Sequence, residues 1–209
     1  MIILTKMSNE IISIGLFIDG GYFMEMNKAL YPTSRVNLKG LMSHIRTCIA
    51  DKFELPVESC IITESHFFQG RFKSYEAKQK MRLESDRKFE DKLIENDVVF
   101  HYKHIHELPD GTIKEKGIDV WYALETYELA IYRDFDFVVL ITGDADHEML
   151  ARKIKSLKKQ VVLVTWNFSE NNSTSPALKE EVTYHIDLNH MLKQSPELKN
   201  KITLAASVS

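Results

Sequence analysis

Short apolar runs alternate with amphipathic stretches along this chain. Residues 11–18, rich in isoleucine and almost continuously apolar, read as a strand buried on both faces. Gly20-Gly21 break it, and a helix is expected from Tyr22 to about Leu30, ended by Tyr31-Pro32. Asn37 stands where a cap belongs, ahead of a helix on which Leu38, Leu41, Met42, Ile45, Cys48 and Ile49 share a face. Residues 60–68 are the next strand. Residues 74–95 are mostly charged, with Met81, Phe89, Leu93 and Ile94 as sparse apolar positions, and read as one solvated helix. Residues 97–106 predict a third strand, Leu108-Pro109-Asp110-Gly111 a turn, and residues 118–132 a helix. Residues 137–142 are the clearest parallel strand, followed by a helix at 148–157 and a last strong strand at 161–166.

This rhythm implies βαβ units: an α/β fold with a mainly parallel sheet covered on both faces. No internal repeat interrupts it. The polar stretch 167–175 reads as a loop leaving the carboxyl end of the last strong strand. One domain is expected over residues 11–193, with flexible termini at 1–10 and 194–209.

At 209 residues, 44% apolar and 27% charged, the chain has the make-up of a globular domain with a sizeable core. A net charge of -3 gives no overall basic field, so any polyanion must be caught by a local patch. Cys48 and Cys60 fall in a helical and a strand-like pattern and read as small buried hydrophobes, neither a disulfide framework nor a zinc motif. No run approaches a signal-peptide core or a membrane span, and the chain reads as cytoplasmic.

Three acidic stretches carry the candidate chemistry. Asp19 follows Ile14-Gly15-Leu16-Phe17-Ile18, and Asp144 follows Val138-Val139-Leu140-Ile141-Thr142, so both land on one edge of a parallel sheet. Asp146 lies on the turn into the next helix, and Asp119 opens a helix after Gly117. Any one of these could simply cap a helix or shape a turn. Four converging carboxylates repel one another, and Mg²⁺ or Mn²⁺ with oxygen ligands neutralises them economically.

The stretches Ile18-Asp19-Gly20-Gly21-Tyr22, Lys116-Gly117-Ile118-Asp119 with Glu125, and Thr142-Gly143-Asp144-Ala145-Asp146 resemble, in order and spacing, the signature of NYN domains. These are a branch of the PIN-like nuclease superfamily, and the likeness is strongest to the LabA-like bacterial proteins. It spans about residues 12 to 190. It implies a PIN-like, Rossmann-like three-layer α/β/α sandwich and a Mg²⁺- or Mn²⁺-dependent ribonuclease site built from Asp19, Asp119, Asp144 and Asp146. Two positions depart from the family pattern: Gly21-Tyr22 stands where many members carry an asparagine, and His147 where an aromatic is usual.

On this reading Asp19, Asp119 and Asp144 hold metal directly or through water, and Asp146 is a ligand or orients water. Glu125, six residues past Asp119 and roughly 240° round the helix at ~100° per residue, supports the ligands from further out. Thr142 either donates to a ligand or phosphate or is an ordinary strand residue. Lys116 either contacts phosphate or is solvated. Arg71, Lys73, Lys78 and Arg82, in a locally basic stretch beside Phe68, Phe72 and Tyr75, are candidates for gripping single-stranded RNA, with a solvated helix face as the plainer reading.

Other classes compete. His101, His104 and His106 suggest zinc but lack a third ligand at usable spacing. An aspartate-nucleophile phosphatase needs a second aspartate two residues after Asp19, and none is there. A PIN-like fold that grips RNA or a protein and cuts slowly or not at all remains the serious rival. An interaction domain that forms a homo-oligomer is the third reading.

Overall fold

The computed structural model describes residues 11–30, 33–107, 113–114, 116–166 and 174–205. The predicted turn at 108–111 and most of the polar loop at 167–175 lie outside them. In chain order the elements are β1 (Ile12–Asp19), α1 (Gly20–Leu30), β2 (Ser34–Val36), α2 (Leu38–Phe53) and β3 (Cys60–Arg71). Then come α3 (Ser74–Gln79), α4 (Leu83–Ile94), β4 (Val98–His104), β5 (His106–Glu107), β6 (Ile113–Lys114) and α5 (Ile118–Tyr132). The last part holds β7 (Phe137–Ile141), α6 (Glu148–Ser156), β8 (Gln160–Thr165), α7 (Pro176–Glu181), β9 (Tyr184–Asp187), α8 (Leu188–Gln194), α9 (Pro196–Ile202) and β10 (Thr203–Ala205).

Six strands form one parallel sheet in the order β4-β3-β1-β7-β8-β9. Counting only its own strands, that is the order 3-2-1-4-5-6 of doubly wound α/β folds. Alternation along β1 sends Ile14, Leu16 and Ile18 into one apolar layer, with Phe23, Leu41, Ile45 and Leu188. Phe17 goes the other way, into a layer with Tyr122, Leu150, Ile154 and Leu178. Helices thus cover both faces, and the expected α/β/α sandwich is what forms. Both cysteines are buried in it, and burial pushes the Cys48 thiol up to about 11.

The structure corrects several local expectations. α1 begins on Gly20-Gly21 instead of after them; a Cβ on Gly20 would lie 2.5 Å from the Phe68 carbonyl, so only glycine lets the helix start this close to β3. Asn37 occupies the cap position of α2 but makes no side-chain cap; its amide donates to the Lys201 carbonyl at 3.1 Å. The charged stretch 74–95 is two helices, broken where Met81 takes a φ of 54°. Within the stretch expected as a flexible tail, α9 packs on α2, and β10 pairs antiparallel with β2. Among the described residues, no helix is long and apolar enough to cross a membrane.

Candidate functional site

The chain leaves β1 over the α1–α2 face and leaves β7 over the α6 face, so a crevice opens between the carboxyl ends of these adjacent strands. Asp19 is the last residue of β1. Its Oδ1 accepts the Tyr22 amide at 3.1 Å, and its Oδ2 accepts the Thr142 hydroxyl at 3.2 Å. Thr142, fully buried just past β7, also receives the Asp144 amide on Oγ1 at 3.3 Å. One threonine therefore links the ends of both strands.

Asp144 caps a single 3-10 turn, Ala145–His147, and takes the Asp146 amide on Oδ1 at 3.0 Å. Capping is thus part of its role, and the residue is exposed. Asp146 is exposed on that turn. Asp119 is exposed in the first turn of α5, entered through Gly117 at a φ of 81° that suits glycine.

Burial pushes the Asp19 carboxyl above the ordinary carboxylate range. The Tyr22 amide and the Thr142 hydroxyl pull it back, and the charge of Asp119 pushes it up again. Asp19 and Asp119 therefore feel one another across the crevice. Among the described residues, no lysine or arginine forms an ion pair with Asp19, Asp119, Asp144 or Asp146.

No three His, Cys, Asp or Glu side chains among the described residues converge closely enough to hold a metal unaided. The available donors are all hard carboxylate oxygens at the mouth of an open crevice. That set fits a hard divalent cation that keeps several of its waters and takes only one or two protein ligands.

The remaining predicted residues divide. Glu125 does not join the aspartates: it accepts the Trp121 indole N–H at 3.0 Å, and its charge acts on His66 and His101. Lys116 is exposed one residue before Gly117, where Lys103 from β4 arrives too, its Nζ 3.1 Å from the position of a Cβ on Gly117. Arg71 is committed elsewhere, paired with Glu90 and lying over the Tyr102 ring. Arg82 lies over the Phe72 ring and 4.0 Å from Asp86, while Lys73 and Lys78 are exposed. Phe68 and Phe72 are buried and cannot stack on bases; Tyr75 is exposed.

Sequence reasoning missed three participants. Lys103 gave no motif signal. Tyr22 lays its ring over Gly143, where a Cβ would come within 2.6 Å of it. His147 is buried and places Nδ1 3.0 Å from Thr142 Oγ1; its departure from the family pattern was the available clue. Comparison with known protein families matches the NYN domain over residues 13–189. No curated protein and no solved structure matches the chain. With the doubly wound sheet, the acidic crevice at its switch point and a match across most of its length, the chain belongs to the NYN domain family.

Proposed function

We propose that this chain is a metal-dependent ribonuclease of the LabA-like kind, hydrolysing phosphodiester bonds of single-stranded RNA at the crevice between β1 and β7 in the cytoplasm. NYN domains are a PIN-like nuclease family, which supplies the reaction class. The observation that carries the reading is Asp19: a half-buried carboxylate that accepts a hydrogen bond on each oxygen and, among the described residues, has no ion-paired lysine or arginine. Such a group costs stability unless something of opposite charge uses it.

On this proposal Asp19, Asp119 and Asp144 hold Mg²⁺ or Mn²⁺ directly or through water. A bound cation supplies polarisation of the phosphoryl oxygen and charge relief at the leaving oxygen. Asp146, exposed at the rim, orients the attacking water or takes a further ligand position. Lys116 and Lys103, on either side of Gly117, attract the phosphate backbone toward the amino end of α5. Lys73, Lys78 and Tyr75 extend the RNA path. Thr142 serves the site by holding Asp19.

The rival reading, an NYN domain that binds RNA or protein with little cleavage, draws support from one observation: the described carboxylates do not close into a three-ligand cluster. Cleavage of a fluorescent single-stranded RNA with Mn²⁺, with Mg²⁺ and with EDTA decides between them. Metal-dependent cleavage abolished by Asp144→Asn supports the nuclease. Cleavage that survives the substitution refutes the assigned site, and tight RNA binding without cleavage in the wild type establishes the binding module.

A further inference from the structure

We infer that His147 is a positioning residue which, through Thr142, fixes the direction of the Asp19 carboxylate for a divalent cation. The inference rests on the reading of Asp19 as a cation-holding group and assigns a role to a residue outside the four aspartates.

The Thr142 hydroxyl donates its single hydrogen to Asp19 Oδ2 at 3.2 Å. Thr142 Oγ1 then has only lone pairs to offer His147 Nδ1, 3.0 Å away, and Nδ1 must carry the hydrogen. The Asp144 amide supplies the other hydrogen bond that Oγ1 accepts, at 3.3 Å. Every hydrogen in the chain His147–Thr142–Asp19 points toward the carboxylate.

The other ring nitrogen agrees. His147 Nε2 is buried and, among the described residues, has no hydrogen-bond partner. With the hydrogen on Nδ1, Nε2 of the neutral ring is a bare lone pair. The opposite tautomer would bury an N–H with nothing to receive it, and would turn the Thr142 hydroxyl away from Asp19 at the same time. Orphaned buried N–H groups are the rarer and costlier defect. One tautomer leaves only the Nε2 lone pair without a partner; the other leaves a buried N–H and an Asp19 oxygen without theirs.

Packing holds the ring in place. The Tyr122 ring lies 4.6 Å from that of His147, centroid to centroid, and the Tyr122 hydroxyl donates to the Phe17 carbonyl at 3.3 Å, two residues before Asp19. His147 is thus wedged between α5 and the strand ends, with its orientation set before any ligand arrives. The consequence for Asp19 is that one lone pair of each oxygen is used within the protein, by Tyr22 and Thr142, and the remaining pairs are held toward the crevice. Partners of this sort around a metal-holding group typically account for 10–100-fold in affinity.

Two variants and one spectrum test this. His147→Phe keeps the ring and removes the donor; His147→Asn keeps a donor, its Nδ2, at the place of Nδ1. Mn²⁺ affinity measured calorimetrically should fall roughly 10-fold or more in H147F and be largely restored in H147N, with both metal-free variants melting as cooperatively as the wild type. Long-range ¹⁵N NMR of the metal-free protein at neutral pH should show His147 protonated at Nδ1 and bare at Nε2. An Nε2–H tautomer, or an H147F variant that binds Mn²⁺ like the wild type, overturns the inference while leaving the proposed function intact. A wild type that binds no Mn²⁺ overturns both. If H147F does not fold, the tautomer and the affinity of H147N relative to His147→Leu carry the decision.

Discussion

The Tyr22 hydroxyl donates to the Trp166 carbonyl at 3.0 Å and accepts the Trp166 amide at 2.8 Å, closing a two-bond clasp between the start of α1 and the end of β8. The ring crosses over Gly143 to do so. The clasp ties the start of α1 to the end of β8 beside the acidic crevice.

Tyr22→Phe should therefore destabilise the protein without touching the Asp19 hydrogen bond, which comes from the Tyr22 backbone amide. Losing both bonds to a buried segment costs about 2 kcal/mol, a fall of roughly 4–8 °C in melting temperature for a domain of this size. Mn²⁺ affinity should change little. A large loss of Mn²⁺ binding in Y22F would mean that the phenol itself belongs to the cation site.

Asp19→Asn removes a carboxylate that burial already penalises. The metal-free variant should melt at or above the wild-type temperature, the pattern of a group kept for function at the expense of stability. Mn²⁺ at a hundred times its dissociation constant should raise the wild-type melting point by roughly 5–10 °C, from about 2.7 kcal/mol of linkage, and leave D19N unmoved. A D19N protein that still responds to Mn²⁺ would place the cation elsewhere.

How much of this was legible in the sequence depended on distance along the chain. β1, α5, β7 and β8 announce themselves by dense apolar runs or a capped start, and Asp19 and Asp144 follow directly from those strand ends. β9 was missed because Tyr184–Asp187 is a short edge strand with a single buried residue, Ile186. α9 carried a readable start at Ser195-Pro196, with Leu198 and Ile202 one turn apart, but its terminal position argued for disorder. His147 and Thr142 meet only because a 3-10 turn folds back on the end of β7, and nothing in residue spacing specifies that turn. Arg71 and Glu90 likewise meet only through tertiary packing, which residue spacing does not specify.

A buried imidazole pair gives the pH prediction. His66 Nδ1 lies 2.9 Å from His101 Nε2, so one ring donates and the other must be bare; the rings stack on Phe17 and Phe68. Burial lowers both values below the ordinary histidine range. For His66, Glu64 and Glu125 oppose the shift and Arg133 adds to it; for His101, the His66 charge adds to it and Glu125 opposes it. His44 and His185 are lowered by burial as well. Between each lowered value and about 6.5, the unfolded chain binds more protons than the folded one, so stability rises with pH there. The histidine contribution is fully present above about 6.5 and is lost as pH falls through the lowered values. Urea midpoints measured at pH 8, 6.5 and 5.5 should decline on the acid side, and His101→Gln should decline less steeply than the wild type. Equal slopes would show that the pair is not a source of the pH dependence.

The carboxyl-terminal segment closes the set. Lys201 lies so close over α2 that a Cβ on Gly40 would sit 1.9 Å from its carbonyl oxygen, while Leu198 and Ile202 are buried in the main core. Backbone ties add to this, because the Asn37 amide donates to the Ile202 carbonyl at 2.8 Å and β10 continues onto β2. Removing residues 195–209 deletes two buried aliphatic side chains, Leu198 and Ile202, bares the core surface they cover, and should cost about 3–6 kcal/mol at ~1.5–3 kcal/mol each. Gly40→Ala should act in the same direction through a single methyl, since the backbone oxygen opposite cannot swing aside as a side chain could. Hydrogen exchange in G40A should speed up over residues 196–205 before it changes in β1 or β7. Unchanged protection there would mean that α9 contributes nothing to holding α2 on the sheet.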